Sequence, residues 1–165
     1  MDIVLDSGHM VEFLAQYHNK NLADYGYGRF QPVGLFSAEV ARRLNVIVRT
    51  NKSTGFSLVI ASSFTIVEIS RKWREMVGTK FTEEQLYAFL REPPTWFSLA
   101  PVDEQLEHFF IYVPNRNSRM EPIEWTDAIH MATVFSRGED PSLATLATTD
   151  GKLKQMLADT GRVVL

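Results

Sequence analysis

Four carboxylates in this chain stand where predicted strands end or predicted helices begin. Asp6 ends the apolar strand IVLD, and Asp150 closes a later predicted strand, LATLATTD. Glu68 and Asp127 lie in the first turns of predicted helices. In open parallel sheets, ligands bind outside the carboxyl ends of the strands, so distant segments can supply one cleft. We therefore expect the four acids to converge.

Converging carboxylates repel one another and raise at least one pKa unless a cation compensates. Oxygen ligands without cysteine, and without a histidine pair at ligand spacing, favour Mg²⁺ or Mn²⁺ over Zn²⁺. We assign Asp6 and Asp127 as central metal ligands, Glu68 as a ligand or water orienter, and Asp150 as the fourth acid. Taken alone, any one of them is more commonly a turn or helix-cap residue than a metal ligand.

The polar residues near these acids each have two possible roles. Ser7, Thr65 and Thr148 could hydrogen-bond carboxylates or phosphate, or could cap helices and turns. His9 and His130 each follow an acid by three residues, and we interpret them as neighbouring polar residues and not as ligands. Two larger sets are predicted to be structural. Core filling is predicted for Trp73, Trp96 and Trp125, and a solvated helix face for Arg71, Lys72, Lys152 and Lys154.

Hydrophobic periodicity predicts alternating strands and helices. Strands are expected at 3–5, 57–61, 96–100, 143–148 and 161–165. Helices are expected from about 7 to 17, 37 to 51, 62 to 78, 82 to 92, 103 to 113, 123 to 137 and 151 to 160. This alternation predicts an α/β fold: a doubly wound, mainly parallel sheet in three layers, with helices on both faces. Residues 19–56 form an insert that begins with a Gly-, Asn- and aromatic-rich loop.

Composition narrows the class of protein. The 165 residues fit a single domain, and the absence of cysteine excludes disulfides and thiolate zinc sites. No basic-then-apolar leader and no membrane-length apolar run are present, so we expect a soluble, cytoplasmic protein. A net charge of −3 argues against binding nucleic acid through bulk electrostatics, although four acids in one place would account for it. Gly8 stands where an aspartate-nucleophile phosphatase needs a second acid, and no glycine-rich phosphate loop is present.

The acid-bearing segments resemble the PIN-domain nuclease family, and most closely its small VapC-type toxin ribonucleases. The matching blocks are VLDS with Asp6, Ser63-x-Thr65-x-x-Glu68, Asp127-Ala-Ile-His-Met-Ala and Thr148-Thr149-Asp150. Their order along the chain is more specific than any one block. The resemblance runs from Met1 almost to Leu165, with a looser stretch at roughly 18–56.

The resemblance implies a PIN-like fold and a metal-dependent endoribonuclease whose four acids form its Mg²⁺ or Mn²⁺ centre. It also implies a homodimer and, for a toxin, a small antitoxin protein that blocks the acidic cleft. The alternative is a non-catalytic PIN-like module that binds RNA or protein. For that alternative, the loop from Tyr25 to Phe30 would cover the cleft or dock a partner.

Overall fold

Four parallel strands form the single sheet of the computed structural model, which describes residues 1–19, 30–51, 57–110, 113 and 123–165. The strands are β1 (Asp2–Leu5), β2 (Val59–Ser62), β3 (Phe97–Ala100) and β4 (Ala144–Ala147). Their order in the sheet is β3-β2-β1-β4. Leu5 pairs with Ala147, and Ser62 pairs with Ala100, so the carboxyl ends of the strands lie along one edge.

Eight helices accompany these strands in the described ranges. They are α1 (Ser7–His18), α2 (Ala38–Asn51), α3 (Ser63–Arg71), α4 (Trp73–Met76), α5 (Glu83–Arg91), α6 (Glu104–Glu107), α7 (Trp125–Phe135) and α8 (Gly151–Asp159). Several begin at the predicted caps. Ser37 accepts a hydrogen bond from the Val40 amide, and Thr82 forms a reciprocal capping box with Gln85.

Side chains that alternate along each strand divide the core into two layers. Ile3 and Leu5 of β1 pack with α1, α2, α3 and α5 on one face. Val4 faces the other way and packs with Leu106 of α6 and the apolar sides of α7 and α8. Because successive strand residues point to opposite faces, both sheet faces are covered. The predicted α/β fold, with a parallel sheet between helical layers, is therefore confirmed.

The predicted terminal strand at 161–165 is wrong. This segment is held against β4 by side chains and not by a strand ladder. The Arg162 guanidinium donates to the carbonyl oxygens of Gly138 and Ala144 at 2.7 and 3.0 Å, and the Thr145 hydroxyl donates to the Val163 carbonyl. Its β-branched valines mimic a strand, but the backbone does not pair as one.

Two predicted helices are also shorter than expected. The helix predicted to run to Gly78 breaks at Lys72, whose backbone (φ −105°, ψ 29°) leaves the helical region. The break lets Trp73 pack edge-on against Phe81, 5.5 Å between ring centroids. The helix predicted for 103–113 ends at Glu107, and Leu106 is its buried residue.

The insert is described from residue 30 onward, where α2 packs Val40, Leu44 and Ile47 into the core as its periodicity predicted. The loop from Tyr25 to Phe30 lies outside the described residues, apart from Phe30 itself. No helix in the described ranges is long and apolar enough to cross a membrane.

Candidate metal centre

The central strand of the sheet places the first acid. β1 lies between β2 and β4, and Asp6 follows its last residue directly. Strand order turns from one side of the sheet to the other at β1, which is where open α/β sheets bind ligands. The segments that follow β2 and β4 carry Glu68 and Asp150 at the same sheet edge.

Asp6 is the N-cap of α1, and His9 holds it in place. Its Oδ1 atom accepts from the His9 amide at 2.8 Å and lies 2.9 Å from Nδ1 of the same residue. Burial works to raise the pKa of Asp6, but the bonds from His9 and Thr148 outweigh it and lower that pKa overall. His9 is therefore the positioning partner of Asp6, a role that its i+3 spacing at a helix start could have indicated.

Glu68 has both carboxylate oxygens occupied. Ser7 Oγ donates to Oε2 at 2.5 Å, and Lys72 Nζ lies 2.9 Å from Oε1. Burial again favours a higher pKa, whereas the hydrogen bonds from Ser7 and Lys72 lower it. Ser7 thus contacts a carboxylate, one of its two predicted roles, and Lys72 is a partner of Glu68 and not merely part of a solvated face.

Asp150 is the N-cap of α8. Its Oδ1 atom accepts from the amides of Lys152 and Leu153 at 2.7 and 3.0 Å. The Thr148 hydroxyl accepts from the Asp150 amide at 3.0 Å and also bonds to Asp6, so it links the segment after β4 to the end of β1. Asp150 therefore has the structural role of a cap and also lies near the other acids.

Asp127 differs from the other three acids because its half-buried carboxylate has no hydrogen-bond or salt-bridge partner among the described residues. Burial and the negative charges of neighbouring acids raise its pKa from 3.8 to about 6. The acids that act on it are Asp150, Glu124, Asp6 and Glu68. The mutual repulsion expected from the sequence is therefore concentrated on this one carboxylate.

His130 follows Asp127 by one helical turn and is only 2% exposed. Its Nδ1 atom has no hydrogen-bond partner in the described part of the chain. Burial lowers the pKa of His130, while the charges of Asp6 and Glu68 act in the opposite direction. Buried polar atoms are nearly always hydrogen-bonded, and His130 Nδ1 is one of three side-chain exceptions in the described part of the chain, together with His18 Nε2 and Arg162 Nε.

Two other residues near the acids differ in how they are used. Thr65 lies in the first turn of α3, whose cap is Ser62: Ser62 Oγ accepts from the Thr65 amide at 3.2 Å and lies 3.0 Å from the Thr65 hydroxyl, so that hydroxyl contacts the helix cap. Trp125 was predicted to fill the core but is 71% exposed, with its ring 5.4 Å from that of Phe110. Trp73 and Trp96 do pack against or within the core, as predicted.

The four acids do not form a complete metal-binding site in the described part of the chain. Within the described ranges, no group of three or more His, Asp or Glu side chains is placed so that it could hold an ion. The donors nevertheless suit a hard cation, because they are carboxylate oxygens. One of them, Asp127, has no partner among the described residues, and burial and neighbouring acids raise its pKa. Asp6, by contrast, is already bonded by His9 and Thr148.

Comparison with protein-family models, with curated proteins and with solved structures gave no match. A function for this chain must therefore come from the chemistry of its own residues.

Proposed function

We propose that this protein is a PIN-like, metal-dependent endoribonuclease. The observation that carries the proposal is the Asp127 carboxylate, which has no partner among the described residues and whose pKa is raised first by burial and then by the charges of Asp150, Glu124, Asp6 and Glu68. A cluster that concentrates negative charge on an unpaired carboxylate is stabilised most by a bound divalent cation. The order of the acid-bearing segments along the chain supports the family assignment.

Asp6 and Asp127 would hold the metal, with Glu68 and Asp150 completing or orienting its surroundings. Bound there, Mg²⁺ or Mn²⁺ would lower the pKa of a coordinated water and stabilise charge on the phosphate. Hydrolysis forms one bond from the water oxygen to phosphorus and breaks the bond to the 3′ oxygen. The products carry a 5′-phosphate and a 3′-hydroxyl.

The chain's own residues supply positioning. His9 and Thr148 fix the Asp6 carboxylate, and Ser7 fixes that of Glu68. The exposed Trp125 ring lies two residues from Asp127 and offers a flat surface on which an RNA base can stack. An acidic protein with one exposed aromatic beside its site suits a local contact with single-stranded RNA better than a long electrostatic interface.

The experiment that tests this proposal compares wild type with the Asp6→Asn/Asp127→Asn double variant on end-labelled RNA. The matched control replaces two exposed acids, Glu107→Gln/Asp159→Asn. Removing one catalytic electrostatic group commonly costs roughly a hundredfold or more. We expect cleavage by wild type and control only with Mg²⁺ or Mn²⁺, none in chelator, and none detectable from the site variant.

A non-catalytic binding module is the second candidate, and one observation favours it. Lys72 already neutralises part of the acidic cluster by pairing with Glu68. If folded wild type retained RNA on filters without cutting it in either metal, with the site variant behaving identically, the module would replace the nuclease.

The toxin assignment is a finer proposal, with a homodimer and a small antitoxin as the partners. An antitoxin segment with a basic side chain would satisfy the unpaired Asp127 carboxylate. Coexpression with the small protein encoded beside this one should suppress RNA cleavage, and light scattering should give the mass of a dimer. Unsuppressed cleavage would leave a nuclease that is not a toxin of this type.

A further inference from the structure

The turn from Val33 to Phe36 brings the insert onto the first turn of α1, beside Asp6. The Phe36 amide closes this turn by donating to the Val33 carbonyl at 3.1 Å. A Cβ atom added at Gly8 would lie 3.0 Å from Leu35 Cδ1 and 3.6 Å from Asp6 Oδ1. The Leu35 side chain and the Asp6 carboxylate therefore border the same small space above Gly8.

Gly8 has no backbone reason to be glycine. Its φ is not positive, and glycine is a poorer helix former than alanine. A methyl group at this position would press on the Leu35 side chain at 3.0 Å. The absence of a side chain at Gly8 therefore leaves the room in which Leu35 approaches Asp6.

Buried contacts hold the turn in place while its apolar outer residues stay open to solvent. Phe36 is 4% exposed, and its ring lies nearly parallel to that of His9, 6.0 Å between centroids. His9 is in turn the hydrogen-bond partner of Asp6. Val33 and Leu35 remain 55% and 40% exposed. The turn thus presents a fixed apolar surface at the edge of the acidic site.

An apolar surface at this position suits one part of an RNA chain and not the others. Leu35 offers nothing to a phosphate group, because an aliphatic side chain neither pairs with it nor solvates it. A base has an apolar face, but in a duplex that face is stacked and the base is paired. Proteins that bind single strands pack unstacked bases against side chains instead. The partner that fits Leu35 is therefore an unpaired nucleotide.

We propose that Leu35 is a specificity-determining residue, an apolar wall against which the base of an unpaired nucleotide packs, so that the site selects single-stranded over paired RNA. This inference rests on the proposed function for its substrate class, but it needs no bound ion. Phe36 is a positioning residue, since it holds both the turn and His9. The insert thereby belongs to the site as well as to the fold.

The test measures RNA binding separately from cleavage. Fluorescence anisotropy follows an end-labelled single-stranded RNA, and the same strand annealed to its complement, in the Asp6→Asn/Asp127→Asn background so that the RNA stays intact. Leu35→Ala removes the wall, Leu35→Met keeps it apolar, and Gly8→Ala displaces it without truncating it. Val46→Ala is the matched control, because Val46 is an exposed apolar residue elsewhere in the insert. Circular dichroism checks that each variant is folded.

We expect Leu35→Ala to weaken single-strand binding roughly tenfold, as the loss of an apolar contact does. The loss should be smaller for Gly8→Ala and absent for Leu35→Met and Val46→Ala, and duplex binding should not change. Equal losses for both RNAs, an unaffected Leu35→Ala, or no single-strand binding by any variant would overturn this inference. Binding that depends on Leu35, in a protein whose wild type cuts no RNA with either metal, would overturn the nuclease proposal and leave this inference standing.

Discussion

Two regions of the molecule differ in how completely their polar side chains are hydrogen-bonded. Where the insert rejoins the core, side-chain amides pair with backbone groups. Gln16 Oε1 accepts from the Gln31 amide at 2.8 Å, and its Nε2 donates to the Gln31 carbonyl at 3.2 Å. Asn45 forms the same two-way bridge with Phe30, at 2.9 and 2.8 Å. These bridges use both ends of each amide.

At the carboxyl edge of the sheet the pairing is incomplete. Asp127 has no partner among the described residues, its pKa is raised to about 6, and His130 Nδ1 is unpaired. Selection for stability alone favours the first arrangement, because an unsatisfied buried group costs free energy. This contrast between fully paired amide bridges and an incompletely paired acidic edge supports our proposal that a ligand binds at the acidic edge.

Cutting one amide bridge should have the largest effect on stability. Gln16→Ala removes the two hydrogen bonds that the buried Gln16 side chain makes to the backbone of Gln31, an exposed residue, so we expect a loss of about 2 kcal/mol in the free energy of unfolding. Urea denaturation measures it. Gln155→Ala is the control, because its amide bonds to Asp159 on the surface. Equal losses of stability in Gln16→Ala and Gln155→Ala would show that the amide bridge stabilises the fold no more than an ordinary surface contact does.

Much of the fold follows from the sequence, because strands and helices are encoded by local periodicity and caps. Asp6 at the end of β1 and Asp150 after β4 could be located for this reason. The pairing of Lys72 with Glu68 is compatible with helical i,i+4 spacing, but the sequence alone could not distinguish it from a lysine that faces only solvent. The false strand at 161–165 has a similar origin. Its valines suit a strand, but the buried Arg162 guanidinium takes up carbonyl oxygens in a way that no local pattern reveals.

Neutralising the unpaired carboxylate should increase stability. A carboxyl whose folded pKa lies above its unfolded value is destabilising once both states would ionise. For Asp127 the penalty begins above pH 3.8 and is complete above about pH 6. After discounting for solvent screening at this half-buried position, we expect Asp127→Asn to raise the free energy of unfolding by about 1–2 kcal/mol at pH 7.

Comparing the stability of wild type with that of Asp127→Asn at low pH checks this prediction. Below pH 3.8 the wild-type carboxyl is protonated in both states, so the advantage of Asp127→Asn should vanish. Glu107→Gln, at an exposed position on α6, should show no gain at either pH. A destabilised Asp127→Asn at pH 7 would mean that this carboxylate is a structural acceptor.

A smaller effect on stability is expected at Glu68, because both of its carboxylate oxygens have partners. Ser7→Ala removes one of the two partners of Glu68 and should cost about 1 kcal/mol at pH 7. Because the pKa of Glu68 is lowered, this contribution is fully present above the ordinary glutamate pKa of 4.5 and is lost as the pH falls through the folded pKa. The free energies of unfolding of Ser7→Ala and of Ser70→Ala, whose serine is exposed on α3 near Glu68, should differ at pH 7 and converge in acid. A gap that persisted in acid would show that the serine acts through packing alone.

The most direct test of the proposed cation site at Asp127 is the effect of Mg²⁺ on the free energy of unfolding. It is measured for wild type and Asp127→Asn at constant ionic strength and pH 7. An ion that binds only the folded state at five times its Kd stabilises it by about 1 kcal/mol. We predict that gain for wild type, none for Asp127→Asn, and therefore a narrowing of the difference between the two proteins. An equal response of both proteins, or no response of either, would contradict the assignment of Asp127 to a cation site.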